Sequence, residues 1–322
     1  MAQIPRAALD YLTKEINGIS ADAKAKVLRV LKELDWNDVS ACRDAVIDVV
    51  NAVLDSYGLA AGQAAADFFD VSREMAVGEK LGAITTADRD PAATEGAIRA
   101  FVDKVNGGDY DAFERLVLSR VGYEIKRAAG TTMMENAARD PLSPRFARVP
   151  SGGETCKFCL MLAGRGFVYH SKKTAGEFGH YHDNCDCRIV ASWDKDGVEG
   201  YDPMSYHREW RGRENFTIPE AKLTRYSLCM ESERGRDKAI AFRDALGFTE
   251  EDAGEIMGQV YRWVGEHEPA FRESGKYGDS YTTDMVMVGK NGKTARVVVG
   301  WMKDHDKDKM RLTTIYVARR KG

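Results

Sequence analysis

Residues 148–190 read RVPSGGETCKFCLMLAGRGFVYHSKKTAGEFGHYHDNCDCRIV. Between Cys156 and Cys187 this stretch holds four of the chain's six cysteines and three of its six histidines. Cys156 and Cys159 form a CxxC pair; after twenty-two further residues come His182, Cys185 and Cys187. Zinc takes four soft or borderline ligands in a tetrahedron. They usually arrive as short-spaced pairs, because a two-residue gap lets one tight turn aim both side chains at a point. The spacing therefore predicts a metal-stapled loop with Cys156, Cys159, His182 and Cys185 as ligands and Cys187 as the rival for the last place. Four protein ligands leave no open coordination position, and no HExxH arrangement accompanies them, so the expected zinc is structural. A reduced structural thiol cluster is the plain alternative. A CxxC redox motif would need a βαβ context that this sequence lacks, and a Cys–His nucleophile would need an orienting third group. His170 and His180 are expected to face solvent, and Cys42 and Cys229 to act as small buried hydrophobes.

The composition around this window is that of an ordinary globular chain. Of 322 residues, 30% are charged and 43% hydrophobic, which suits two or three modules. A formal net charge of -3 predicts no general affinity for nucleic acid or anionic membrane. The start, MAQIPRAALDYL, shows no basic segment followed by an apolar one. No uninterrupted apolar run approaches the roughly 20 residues that span a bilayer, so a cytosolic protein without a membrane partner is expected. In that reducing setting clustered thiols favour metal over disulfides.

Upstream, residues 1–140 predict a mainly α helical domain, either a bundle or an elongated arm. Ser20 is placed to cap a helix that presents Val27, Leu31 and Leu34. A second helix sets Val46, Val49, Val50, Val53 and Tyr57 at helical spacing, continued by the alanine-rich Ala60–Asp70. Helical patterns recur at Ile98–Val105 and through Phe113, Leu116, Val117 and Val121. Polar turns at Thr85–Pro91 and Asn106–Asp109 separate them. Residues 141–217 carry the zinc knot and a polar, aromatic linker (Asp194–Phe216) to which no core is assigned.

Downstream, residues 218–322 predict an α+β domain. Helices are expected at Arg236–Leu246 and Glu250–Gly265, then strands at Ser280–Val288, Thr294–Met302 and Met310–Ala318 in an antiparallel three-stranded meander. Asn291-Gly292 signals a type I′ hairpin turn. From Met285 onward ten basic residues face three acids, Asp304, Asp306 and Asp308. A basic sheet with Tyr277, Tyr281, Trp301 and Tyr316 nearby is a candidate for phosphate binding and base stacking. Metal-independent ribonuclease chemistry would need a cation for the phosphorane and a group to move the 2′-hydroxyl proton. Arg311, Lys238, Thr313 and Tyr316 are the candidate catalytic residues, with His305 a further acid/base candidate. The bland reading is that strand lysines only keep a solvated face from aggregating, and that Trp301 is core.

The segment from Arg148 through Cys187, with its CxxC pair and His-x-x-Cys-x-Cys close, resembles the core of the Mu F-like minor capsid (head morphogenesis) proteins of tailed actinobacterial phages and prophages. Ser56–Glu74, SYGLAAGQAAADFFDVSRE, is similar to that family's helical region at Tyr57, Gly58, Phe69, Asp70 and Arg73. The resemblance spans about residues 40–195. It implies a low-copy structural head protein in the virion, near the portal or inner capsid, with host cytoplasm as its assembly site. The implied partners are portal and major capsid proteins and phage DNA. From about Lys222 the chain is similar to an uncharacterised domain at the C-termini of polymorphic toxins. Tyr226-Ser-Leu, Gly235-Arg-Asp-Lys238-Ala, Lys276-Tyr-Gly, Trp301 and Arg311-Leu-Thr-Thr carry that likeness. It implies a ribonuclease-like passenger with an RNA substrate and an immunity protein. An enzyme is thus expected, if anywhere, within 218–322. The alternative to a head protein is a phage-delivered toxin; a zinc-dependent nucleic-acid binder is a third reading, disfavoured by the net charge.

Overall fold

A computed structural model describes residues 3–86, 89–152, 155–170, 187–194 and 197–318. The chain divides into two compact units, the first formed by residues 1–155 and 165–201, the second by 156–164 and 202–322.

The first unit is mainly helical, as its patterning predicts. It holds α1 (Arg6–Glu33), α2 (Val39–Val77), α3 (Pro91–Asn106) and α4 (Tyr110–Arg139). Aspartates start three of these helices. Asp38, Asp90 and Asp109 each accept a hydrogen bond from the backbone N–H three residues on, which satisfies one of the orphan donors of the first turn. Ser20, the expected cap, instead sits buried in the middle of α1, which begins at Arg6. The helical stripe simply continues upstream through Leu9, Leu12 and Ile16, all buried. Helix α4 packs against α1, α2 and α3, so it is buried around most of its circumference and shows no single apolar stripe.

By length and composition α2 could cross a membrane. Alanine, glycine and spaced aspartates hide that property from a search for unbroken apolar runs. Within this fold α2 packs against α1, α3 and α4.

Two short strands complete the unit. Strands β1 (Arg145–Pro150) and β2 (Cys187–Ser192) pair antiparallel, from Arg145 opposite Ser192 to Pro150 opposite Cys187. The region read as loop and linker thus contributes an almost wholly buried β ribbon.

The second unit is α+β. It contains α5 (Lys157–Ala163), α6 (Pro203–Asn215), β3 (Phe216–Thr217), a π turn (Leu223–Ser227), α7 (Arg236–Leu246) and a 3-10 turn (Glu250–Asp252). The chain continues with α8 (Ala253–Val264), β4 (Ala270–Gly275), β5 (Gly278–Val288), β6 (Thr294–Asp304) and β7 (Met310–Val317). The three expected strands and the first expected helix fall within two residues of these bounds, and the second expected helix, Glu250–Gly265, covers the 3-10 turn together with α8. The sheet, however, has five strands in the order β3-β7-β6-β5-β4, rather than a three-stranded meander. Strand β3 joins β7 in parallel, and β4 extends the other edge antiparallel to β5. Phe242, Leu246, Ile256, Val260, Val299 and Trp301 are central to the core. Trp301 is the core residue anticipated; its indole donates to Thr283 Oγ1 at 2.9 Å.

Two corrections have a local physical cause. The Asn291-Gly292 turn is not type I′, which needs positive φ at both residues, since only Gly292 has it (φ 75°). Gly292 N–H donates to Gly289 O instead, and Asn291 Oδ1 accepts from Lys293 N–H. The supposed linker is also partly a docked helix. Helix α6 buries only Glu209 and Gly212, so it carries no apolar stripe to recognise. It packs on α8 by close backbone approach: a Cβ on Gly212 would lie 2.1 Å from Tyr261 O, and one on Gly265 1.9 Å from Arg208 O. Glu209 then pairs with Arg213 and Arg262, each at 2.8 Å.

Candidate functional site

The cysteine window is divided between the units. In the second, Cys156 caps α5, and its Sγ accepts from Cys159 N–H at 3.4 Å; the two residues are therefore fixed by one helical start, the local turn that their spacing predicts. Cys159 is buried. In the first, buried Cys187 opens β2 opposite Pro150. His182 and Cys185 lie outside the described residues, as does His180. Among the described residues no group of three histidines, cysteines or carboxylates is disposed to hold a metal. Soft thiolate donors suit zinc, and that is where the fit of these residues to the metal rests. Cys42, expected as a small hydrophobe, is buried with its thiol donating to Asp35 O at 3.1 Å.

The alanine-rich motif of α2 builds structure. Phe69 is fully buried, edge-on to Trp193 with ring centroids 5.1 Å apart. Asp70 accepts from the backbone N–H groups of Leu81 and Ala83, and so holds the chain leaving α2. Arg73 reaches Asp140 at 2.8 Å, and the Trp193 indole donates to the same carboxylate at 2.9 Å. Burial pushes the Asp140 carboxyl up, but hydrogen bonds from Arg73, Leu142 N–H and Trp193 outweigh it and hold it below the usual carboxylate range. Asn136 on α4 clasps Ile84 through both its backbone groups. Asp70 and Arg73, the charged groups that the resemblance singles out, are thus both spent on holding the fold, as in a scaffold. Tyr57 lies beneath the Lys26 ammonium, 4.8 Å from ring centroid to Nζ.

Along the groove between α1 and α2 the unit is less complete. Tyr11, Leu12, Ile19, Phe68 and Val71 line a cavity of about 550 Å³ with Glu15 and Asp67 beside them.

In the second unit the predicted catalytic residues separate into two groups. Lys238, in the first turn of α7, is half-buried and donates to Thr314 Oγ1 at 2.6 Å. Its Nζ lies 4.8 Å from the centroid of the Tyr226 ring and 5.9 Å from that of Tyr316. Burial, and then the nearby Lys222, pull the Lys238 ammonium below its ordinary pKa. Arg311 is committed elsewhere: its guanidinium forks onto Asp304 at 2.9 and 3.0 Å, which raises its own pKa and lowers that of the carboxylate. His305 Nε2 lies 3.3 Å from Gly275 O.

A bulge decides which threonine serves. Gly300 pairs with Thr314 and Trp301 with Leu312, so Thr313 is the extra residue of β7. Thr314, not the candidate Thr313, is the residue that meets Lys238. Tyr226, quoted for the resemblance, was not among the candidate site residues. Its signal was Gly235, where a Cβ would stand 1.8 Å from Tyr226 O: the π turn and the start of α7 touch through a residue that must lack a side chain.

Residues 211–319 are similar to a domain of unknown function, DUF6883. No curated protein and no solved structure matches the chain. Residues 3–212, well over half of the chain, match the VG15 proteins, a viral and phage family. The chain belongs to the VG15 protein family.

Proposed function

We propose that this chain is a minor capsid, head-morphogenesis protein of a tailed phage or prophage, acting beside the portal or inner capsid surface. Membership of a phage family over residues 3–212 carries the reading. A helical unit whose motif residues Phe69, Asp70 and Arg73 are spent on packing and internal hydrogen bonds suits a docking scaffold better than an enzyme. The groove between α1 and α2, with Tyr11 exposed at 66%, offers apolar surface for an assembly partner. Proteomics of purified particles tests this directly. The protein should be present and should co-purify with portal or major capsid protein; its absence from particles and from such complexes rejects the proposal.

Zinc belongs to the same reading, with Cys156, Cys159, His182 and Cys185 or Cys187 as ligands. About one zinc per chain is expected. Metal analysis of the Cys185→Ser and Cys187→Ser variants identifies the last ligand, and a purified, never-chelated protein without zinc ends the idea.

A second reading concerns the second unit: a metal-independent, ribonuclease-like effector delivered with the particle. Lys238, a half-buried cation with no carboxylate partner among the described residues, favours it. Incubation of the full chain with total RNA should then yield fragments that Lys238→Met no longer produces. Intact RNA with folded wild-type protein removes this reading and leaves the head-protein reading untouched.

A further inference from the structure

Several basic residues of the second unit that are drawn into its hydrogen-bonded surface carry carboxylate partners. Arg311 has Asp304, Arg296 has Asp284, Lys290 has Asp252, and Arg213 and Arg262 share Glu209. Others, such as Lys222, Lys293 and Lys303, have no such partner among the described residues but are exposed to water, whereas Lys238 is half-buried without one. One of its three N–H donors is used on Thr314, the flanking rings supply π faces in place of a carboxylate, and no ion pair engages it among the described residues. A charge kept partly from water without a counter-charge is unfavourable in the isolated fold, and it is relieved when an anion arrives.

The surroundings are open to such a ligand. Strand β3 pairs with β7 only at Met310 and Arg311, so from Leu312 onward that side of β7 has no strand neighbour among the described residues. Thr314 and Tyr316 stand on this free edge, and Tyr316 is 39% exposed. Lys222 is exposed and directly precedes the π turn that carries Tyr226. A cation, a hydroxyl and two phenol rings therefore meet at one edge, with exposed Lys222 at the start of the turn that carries one of the rings. The lowered pKa of Lys238 agrees with this geometry, since burial and Lys222 both disfavour its charge until an anion shares the site.

We propose that this edge binds the phosphodiester backbone of a single-stranded nucleic acid, with Lys238 and Lys222 on a phosphate and Tyr316 as the platform for an adjacent base. Cation plus stacking ring is the chemistry by which single strands are held without sequence readout. An inorganic anion would use the lysines and leave the ring idle. The proposal rests on the reading of this unit as nucleic-acid-directed, yet it concerns binding alone and does not require cleavage.

Fluorescence anisotropy of the full-length protein with a fluorescein-labelled single-stranded oligoribonucleotide, titrated across a salt series, tests it. Lys238→Met should weaken binding about tenfold and make the slope of log K against log salt shallower by about 0.7, the signature of one lost phosphate contact on a single strand. Tyr316→Ala should weaken binding several-fold without changing that slope, because a stacking contact releases no counterion. Lys293→Met, an exposed lysine of the hairpin turn, should behave as wild type. Should Lys238→Met fail to fold, Lys222→Met, at an exposed position, carries the same slope prediction. Wild-type protein that does not bind the strand, or folded Lys238→Met and Lys222→Met proteins with unchanged affinity and slope, overturns the proposal. Wild-type binding with loss in these variants supports it; binding without RNA fragmentation would then reject the ribonuclease reading alone.

Discussion

Arg73 in the first unit and Lys238 in the second are both cations withdrawn from water, and the fold treats them in opposite ways. Around Arg73 everything is answered. Asp140 takes its guanidinium, Trp193 and Leu142 N–H bind the same carboxylate, and Glu79 O accepts the remaining edge at 2.8 Å. Around Lys238 there are rings and one hydroxyl. A buried pair with full hydrogen bonding specifies a structure, whereas a half-buried cation with no counter-charge leaves interaction energy available to a ligand.

The largest expected effect is therefore at Arg73. Arg73→Met leaves the Asp140 carboxylate buried and uncompensated, and should cost about 3–5 kcal/mol in urea unfolding followed by circular dichroism. Asp140 also sets a pH dependence. Its folded pKa lies below the unfolded value of about 3.9, so its stabilisation is complete well above that value and is lost as pH falls through it. Thermal melts below about pH 4 should show the loss, and Asp140→Asn, already destabilised at neutral pH, should lack that component. An intermediate case lies at Glu209, whose arginine partners Arg213 and Arg262 are partly exposed and can recover water. Glu209→Gln should cost about 1–3 kcal/mol, less than Arg73→Met, by the same urea measurement. The smallest stability effect belongs to Lys238→Met. The lost hydrogen bond to Thr314 and the relief of a desolvated charge oppose each other, so unfolding should change by less than about 1 kcal/mol. A change at Lys238 as large as that at Arg73 would erase the distinction between the two sites.

Much of the fold was legible where one side of an element is apolar. Helix α7 and strands β5 to β7 follow from periodicity because their partners lie on one face. Helix α6 was not legible, because its docking uses absent side chains at Gly212 and Gly265 and an ion-paired Glu209 rather than a stripe. Strand β3, two residues long, and β4, exposed throughout, carry no pattern that a window could detect. The candidate site was half legible. Lys238 and Tyr316 were named from the C-terminal resemblance and the chemistry that RNA cleavage would need, but Thr314 depended on a bulge and the placing of Tyr226 on a glycine contact. Arg311 was named in the sequence as a catalytic cation, but the β6–β7 register brings Asp304 beside it.

What the sequence determined by itself is the helical character of the first unit, the α+β character of the second, and the clustered thiols between them. Those are local properties, written in period and spacing. Whether the buried cations are answered or left open was decided only by the tertiary structure, because what surrounds them comes from far along the chain: the counter-charge Asp140 lies 67 residues from Arg73, and the hydroxyl of Thr314 lies 76 from Lys238. Burial makes those long-range pairings count, since a charge out of water is governed by its neighbours in space.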